Sequence, residues 1–436
     1  MKIAYITAGA AGMYCGSCMH DNTLASSLMA LGHDVVLVPT YTPIRTDEAD
    51  VSQKRVFLGG INVFLQQKFA LFRHTPRLFD RWLDAPGLLR WVSRFAVGTQ
   101  ANQLGELALS VLRGEHGHQR KEFSRLVHWL ATDIKPQIVN LTNVLLAGIV
   151  GELKQRLGVP VLATLQGDDI FLEALPEKHR AEALSLIREH CRHVDGFIAT
   201  SRYYADFMAG YLGIPRERIE VVYPGLNLAG YGAARPQRNG EPFTIGYFAR
   251  ICPEKGLHIL AEAFMQLCSR APDLDCRLHV SGWLGDHNRG YFDAVKKRLH
   301  DAGLAGRFRH VESPDHAGKV RFLQEIDVLS VPTVYREPKG LYVLEALASS
   351  VPVVQPRHGS FPELVEITGG GVLAKPEDPA DLARALEELA RNEALRRELA
   401  SKGQAAVRER FAADVMARAT LDVYHKATVS DLRPQR

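Results

Sequence analysis

Glu337-Pro338-Lys339-Gly340-Leu341-Tyr342-Val343-Leu344-Glu345 sets two carboxylates eight positions apart around a glycine. Carboxylates accept hydrogen bonds from hydroxyls, so Glu337 suits the hydroxyls of a sugar and Glu345 the diol of a ribose. The glycine lets backbone approach a ligand, and the amides of Gly340 and Leu341, at a helix start, suit an anionic group. Two cations, Arg250 and Lys255, stand together elsewhere and suit a diphosphate. A third element, His279-Val280-Ser281-Gly282-Trp283-Leu284-Gly285-Asp286, runs from an apolar stretch into a Gly-rich one. Singly, each charge is also what a solvated loop or an amphipathic helix carries. Their order and spacing together carry the chemistry.

Elements must hold these residues in place. Val328-Leu329-Ser330-Val331-Pro332 reads as a buried strand, Leu344-Glu345-Ala346-Leu347-Ala348 as helix, and Val351-Pro352-Val353-Val354 as the next strand. Glu337 then lies in the loop and Glu345 about one turn into the helix, where ligands sit beyond the carboxyl ends of strands. Phe243-Thr244-Ile245-Gly246-Tyr247-Phe248 reads as another strand and 257–267 as helix, so Arg250 and Lys255 flank a strand-to-helix turn. Strand and helix patterns alternate along the whole chain, the mark of an α/β fold. Strands are expected at 2–6 and 34–39 around a helix at 23–31, and at 136–141, 160–165, 196–200 and 218–222. The polar, glycine-containing stretch 228–242 reads as an interdomain linker. A second α/β set follows from 243 to about 354, and 379–421 is helical in pattern.

In this order the elements resemble the retaining, family-4-type nucleotide-sugar glycosyltransferases of GT-B fold. Arg250 with Lys255, Gly282-Trp283-Leu284-Gly285, the 337–345 pair and Phe361-Pro362-Glu363-Leu364 carry the resemblance. Gly371-Val372-Leu373-Ala374-Lys375-Pro376-Glu377-Asp378-Pro379 before a helix, and Leu31-Gly32-His33-Asp34-Val35-Val36-Leu37-Val38 near the start, extend it over nearly the whole chain. Residues 57–130 match least. The resemblance implies α/β architecture of GT-B type, two Rossmann-like domains facing each other across a cleft. Residues 1–228 would form the acceptor side, with a helical insertion at about 68–130, and 243–411 the nucleotide-sugar side. Residues 412–436 would form a helix crossing back to the first domain.

The implied activity is retaining transfer of a sugar from a nucleoside-diphosphate sugar to an unidentified carbohydrate or lipid-linked acceptor. Arg250, Lys255 and Glu337 would be catalytic. Glu345, Gly340, Leu341, Gly282, Gly16, Gln166 and Asp168 would bind substrate. No cofactor or metal is expected, because preorganised cations and amides stabilise a leaving diphosphate directly. The spacing Asp273-Leu274-Asp275 suits a metal but falls in a polar loop before a strand. Alternatives are a non-catalytic nucleotide-sugar-binding protein, or a sugar-nucleotide epimerase or phosphorylase on the same fold. One departure matters: Gln166 stands where many relatives carry His, and Asn140-Leu141-Thr142-Asn143 where histidines are common. Glutamine binds hydroxyls but cannot titrate. Asp168 and Asp169, just after it, offer either a ligand carboxylate or a helix N-cap.

Composition bounds the rest. A chain of 436 residues, 46% hydrophobic and 23% charged, is ordinary globular material for two or three domains. A net charge of +4 is too slight to argue for nucleic acid, which is not expected as a partner, and it is compatible with an anionic donor. Six cysteines do not make a disulfide framework in a chain this long, which favours a reducing cytoplasm. The apolar part of the first ten residues, 3–6, is too short for a signal peptide and reads as a strand entering a Gly-rich loop. Cys15-Gly16-Ser17-Cys18 has redox or metal spacing but no second pair, and is expected to shape that loop. Residues 68–95 mix aromatics with arginines. Asp80 and Asp84 interrupt the basic face, so packed helices with snorkelling arginines are favoured over peripheral membrane contact.

Overall fold

The computed structural model describes residues 1–9, 15–54, 56–58, 101–232, 240–312 and 315–431. The stretch 68–95 lies outside them. Two compact units emerge, one of Met1–Tyr223 with Met416–Arg436, the other of Pro224–Val415.

The first unit is built on a six-stranded parallel sheet, ordered β2-β1-β3-β4-β5-β6. Its strands are β1 (Lys2–Thr7), β2 (Asp34–Pro39), β3 (Ile138–Leu141), β4 (Val161–Leu165), β5 (Gly196–Ala199) and β6 (Ile219–Val221). Near-continuous apolar runs such as β1 are what a strand covered on both faces requires. Alternate residues divide between the two layers: Ala4 and Ile6 join one core cluster, Ile3 and Tyr5 the other. The second cluster is completed by Met416, Ala417, Leu421, Val423 and Tyr424 of the final helix, Ala413–Asp431.

The second unit repeats the plan with order β12-β11-β10-β7-β8-β9, again all parallel. Its strands are β7 (Phe243–Phe248), β8 (Cys276–Ser281), β9 (Phe308–His310), β10 (Val328–Leu329), β11 (Val353–Pro356) and β12 (Gly371–Ala374). β10 is shorter than its apolar run, because Pro332 has no N–H to continue a ladder. In each sheet the chain order reverses at one place, between β1 and β3 and between β10 and β7. Both reversals open a crevice at the strand carboxyl ends, where open α/β sheets bind ligands. No described helix is long and apolar enough to cross a membrane.

One expected boundary is corrected. The first helix begins at Gly16, not near residue 23, and runs to Ala30. The Cys15–Cys18 segment is therefore a helix start, with Gly16 exposed as its first residue. Polar residues hid this start: His20, Asp21, Asn22 and Thr23 are all buried. All six cysteines are free thiols, and no metal-competent cluster of His, Cys, Asp or Glu occurs among the described residues.

Candidate active site

At the β7/β10 reversal the chain leaves β7 into the turn that carries Arg250 and Lys255, and leaves β10 into the loop that carries Glu337. Lys255 and Glu337 meet there: the Lys255 ammonium donates to Glu337 Oε2 at 2.7 Å and also to the Tyr335 hydroxyl. Tyr335 donates to the same oxygen at 2.7 Å, and Tyr342 does so at 3.3 Å. The ammonium rests 4.8 and 4.9 Å from the ring centroids of Tyr335 and Tyr342, a cation–π seat. The Lys339 and Gly340 amides reach the other oxygen, Oε1, at 3.4 Å. Glu337 is only 5% exposed. Burial alone would raise its pKa, but Lys255, by charge and hydrogen bond, and Tyr335 outweigh burial and hold the carboxyl down at about 2. It is a carboxylate at every physiological pH.

Gly340 caps the helix Leu341–Ala348 in the left-handed region, φ 67°. Glu345 is the fifth residue of that helix and is also buried. Its Oε1 accepts from Lys319 at 2.7 Å. Gly282 follows β8 with φ 137°, and a Cβ there would fall 1.8 Å from the Ala249 carbonyl oxygen. Glycine is thus what lets the β8 loop run against the β7 loop. Arg250 is exposed on that loop, its backbone oxygen accepting from Tyr247. The structure brings Lys255 and Glu337 into contact and sets Gly340 against them. Asp273, of the metal-like spacing, instead forms a surface pair with Arg391 at 2.8 and 3.0 Å.

The β1/β3 reversal in the first unit holds a separate polar hub. Asp21, fully buried, accepts from Tyr5 at 2.9 Å, Thr7 at 2.7 Å, Thr142 at 2.6 Å and Gln166 at 3.0 Å, with His20 Nδ1 at 3.3 Å. Burial works to raise its pKa, and the His20 and threonine contacts overcome it and lower the group. The Gln166 side-chain amide also donates to the Thr142 carbonyl and hydroxyl, at 3.0 and 2.9 Å. Gln166 therefore spends its amide N–H groups inside the protein. Asp168 begins the helix Asp168–Glu173, whose N-cap is Gly167. Its carboxylate accepts from the Val144 and Gln166 amides, which ties two loops together and differs from the N-cap alternative. Burial raises its pKa to about 6.

Tyr335, Tyr342, Lys319 and Asp21 were not singled out in the sequence. Two of them leave a trace there. Lys319 lies three and four residues before buried Phe322 and Leu323, and Asp21 three and four before buried Leu24 and Ala25. A charge on an apolar helical stripe marks a buried partner.

Comparison with known proteins supplies the context. The description "Glycosyl transferases group 1" matches residues 233–406, and "Glycosyl transferase 4-like domain" matches 22–225. A D-inositol 3-phosphate glycosyltransferase of Streptomyces avermitilis is 31% identical over 413 residues, covering 87% of this chain and 85% of its own. The namesake from Streptomyces bingchenggensis is 34% identical over 247 residues, and the chain spans 53% of its length. Among solved structures, sucrose-phosphate synthase of Thermosynechococcus elongatus has a TM-score of 0.72 at 18% identity, covering 98% of this chain and 99% of its own. The Anabaena protein HepE, crystallised with UDP, has 0.67 at 17%, with 98% and 100% covered. At such identities these two structures establish a shared fold.

Proposed function

Because this chain belongs to the group 1, family-4-type glycosyltransferases of GT-B fold, we propose that it transfers a sugar, with retention, from a nucleoside-diphosphate sugar to a hydroxyl of a carbohydrate or lipid-linked acceptor. The observation that carries this reading is the Lys255–Glu337 pair seated at the β7/β10 reversal. A donor has an anionic diphosphate joined to a hydroxylated ring. The pair offers one pole to each. An ammonium has three N–H groups, and Tyr335 and Glu337 take two, so the third serves the diphosphate. Arg250 adds a second cation and the Leu341 amide a helix-start dipole, while the Gly340 amide is turned to Glu337. As the bond to the sugar breaks, these groups stabilise the leaving diphosphate without a metal ion.

Glu337, ionised and held by three side-chain donors, suits the hydroxyls of a sugar turning oxocarbenium-like. Glu345 accepts from the donor ribose. Gly282 belongs to this site by keeping the β8 loop close. The first unit would take the acceptor, with Gln166 and Asp168 shaping its loops and Gly16 at its first helix. A cytoplasmic setting goes with the reading, since free thiols suit a reducing compartment.

The test is incubation with uridine, adenosine and guanosine diphosphate sugars, following released nucleoside diphosphate and, by proton NMR, the anomer formed. Release of nucleoside diphosphate with the donor's own anomeric configuration in the product is expected, and chelator leaves the rate unchanged. Binding without release would identify a non-catalytic sugar-nucleotide protein. An inverted product or a chelator-abolished rate would overturn the retaining, metal-free mechanism.

A further inference from the structure

Lys319 lies on the helix His316–Gln324 and donates to Glu345 Oε1 at 2.7 Å, with 4% of each residue exposed. Its ammonium sits 5.9 Å from the Tyr231 ring centroid, and Tyr231 meets the His316 ring edge-on at 5.1 Å. Packing does not call for a cation here, since Phe322 and Leu323 on the same face are apolar and buried. Stability does not call for one either, because desolvating a buried ion pair offsets most of its attraction. What the pair does secure is orientation. With Oε1 held, Glu345 cannot turn freely, and Oε2 keeps a fixed direction.

We propose that Lys319 is a positioning residue that aims Glu345 at the donor ribose, so that the site selects ribonucleoside over 2′-deoxyribonucleoside diphosphates. The inference rests on the reading of Glu345 as the ribose acceptor. A 2′-deoxy ligand leaves a desolvated carboxylate oxygen without its hydroxyl. A carboxylate free to rotate escapes that loss by finding another partner, and one locked by Lys319 does not. Discrimination between the two sugars therefore depends on the lysine as well as on the glutamate.

The experiment is calorimetric titration of uridine, adenosine and guanosine diphosphates, each with its 2′-deoxy form, into the wild type, Lys319→Met, Lys319→Arg and Glu345→Gln. The wild type is expected to prefer its best ribonucleotide over the deoxy form by about tenfold or more. In Lys319→Met the preference falls to within about twofold, and Lys319→Arg restores most of it. Lys319→Met leaves Glu345 buried without a counter-charge, so the double variant Lys319→Met/Glu345→Gln guards against unfolding. Its preference is expected to equal that of Glu345→Gln alone. A Lys319→Met protein that keeps the full wild-type preference overturns the inference and leaves the donor site standing. A wild type that binds none of the six nucleotides overturns the donor-site reading, and this inference with it.

Discussion

At the scale of single residues, the two glutamates of the 337–345 motif occupy different surroundings, and their substitutions should separate kinetically. Glu337 is tied to Lys255 and two tyrosines beside the expected diphosphate, whereas Glu345 is tied to Lys319. Glu337→Gln should lower kcat and Glu345→Gln should raise donor KM, each by about 1.5–3 kcal/mol, the worth of a hydrogen bond to a charged group. Steady-state kinetics on both decides it, and unchanged kcat in Glu337→Gln would refute its assigned role. Lys255→Ala should cost about 2.7–4 kcal/mol of transition-state stabilisation in the transfer assay. A near-native rate there would remove Lys255 from the mechanism. Asp168 gives a pH signature. Its folded pKa, raised to about 6 from 3.8, favours the protonated form, so its contribution to stability is full below 3.8 and lost as pH rises through 6. The loss is on the order of 3 kcal/mol over that window. Asp168→Asn should flatten the slope of unfolding free energy between pH 4 and 6, measured by urea titration; an unaltered slope would show that another group sets it. The reach of sequence reasoning is visible at this scale. The carboxylate spacing was legible because it is local. The pairings were not, because Lys255 lies 82 residues from Glu337 and Lys319 lies 26 from Glu345, so the sequence shows one as a cation and the other as a charge on an apolar stripe without naming the partner of either.

At the scale of elements, the alternation of apolar strands and helical stripes made most of both sheets legible, since buried parallel strands must be apolar on both faces, whereas β9, with Arg309 and His310 exposed, offers no such run. The first helix starts before its apolar pattern does because its core-facing stripe includes Asp21, satisfied by hydroxyls from the ends of β1 and β3. Short β10 and the full polar hub depend on neighbours that a strand-by-strand reading cannot see. The loops after β7 and β8 show how tightly elements set the site. Gly282→Ala would drive a Cβ into the Ala249 carbonyl at a backbone angle that L residues rarely adopt. We expect a loss of at least 1–3 kcal/mol of stability and weakened donor affinity together. Urea unfolding and nucleotide titration check this pair of effects. Wild-type values in both would mean that the two loops separate at no cost.

At the scale of the molecule, the two units differ in how the chain builds them. Pro224–Val415 is one continuous segment, whereas the other unit draws on both Met1–Tyr223 and Met416–Arg436. The final helix fills the layer against Ile3, Tyr5, Leu24 and Leu28 with Met416, Leu421, Val423 and Tyr424. Deleting 413–436 should cost the first unit on the order of 5 kcal/mol or more, from several apolar side chains at about 1.5–3 kcal/mol each. Hydrogen exchange should show lost protection in β1 and β2, with β7 and β8 protected as before. Uniform loss in both sheets would show instead that the units unfold as one.

That discontinuity also orders events on the ribosome. The strands Lys2–Thr7 and Asp34–Pro39 emerge early, yet the layer that covers one side of them, begun by Leu24 and Leu28, is completed only once Met416 and the residues after it have been made. Throughout synthesis of the intervening segment, the nascent chain carries a sheet with one apolar face only partly covered, a surface fit for chaperone capture. The continuous unit has no such wait. The unit begun first is therefore the one finished last.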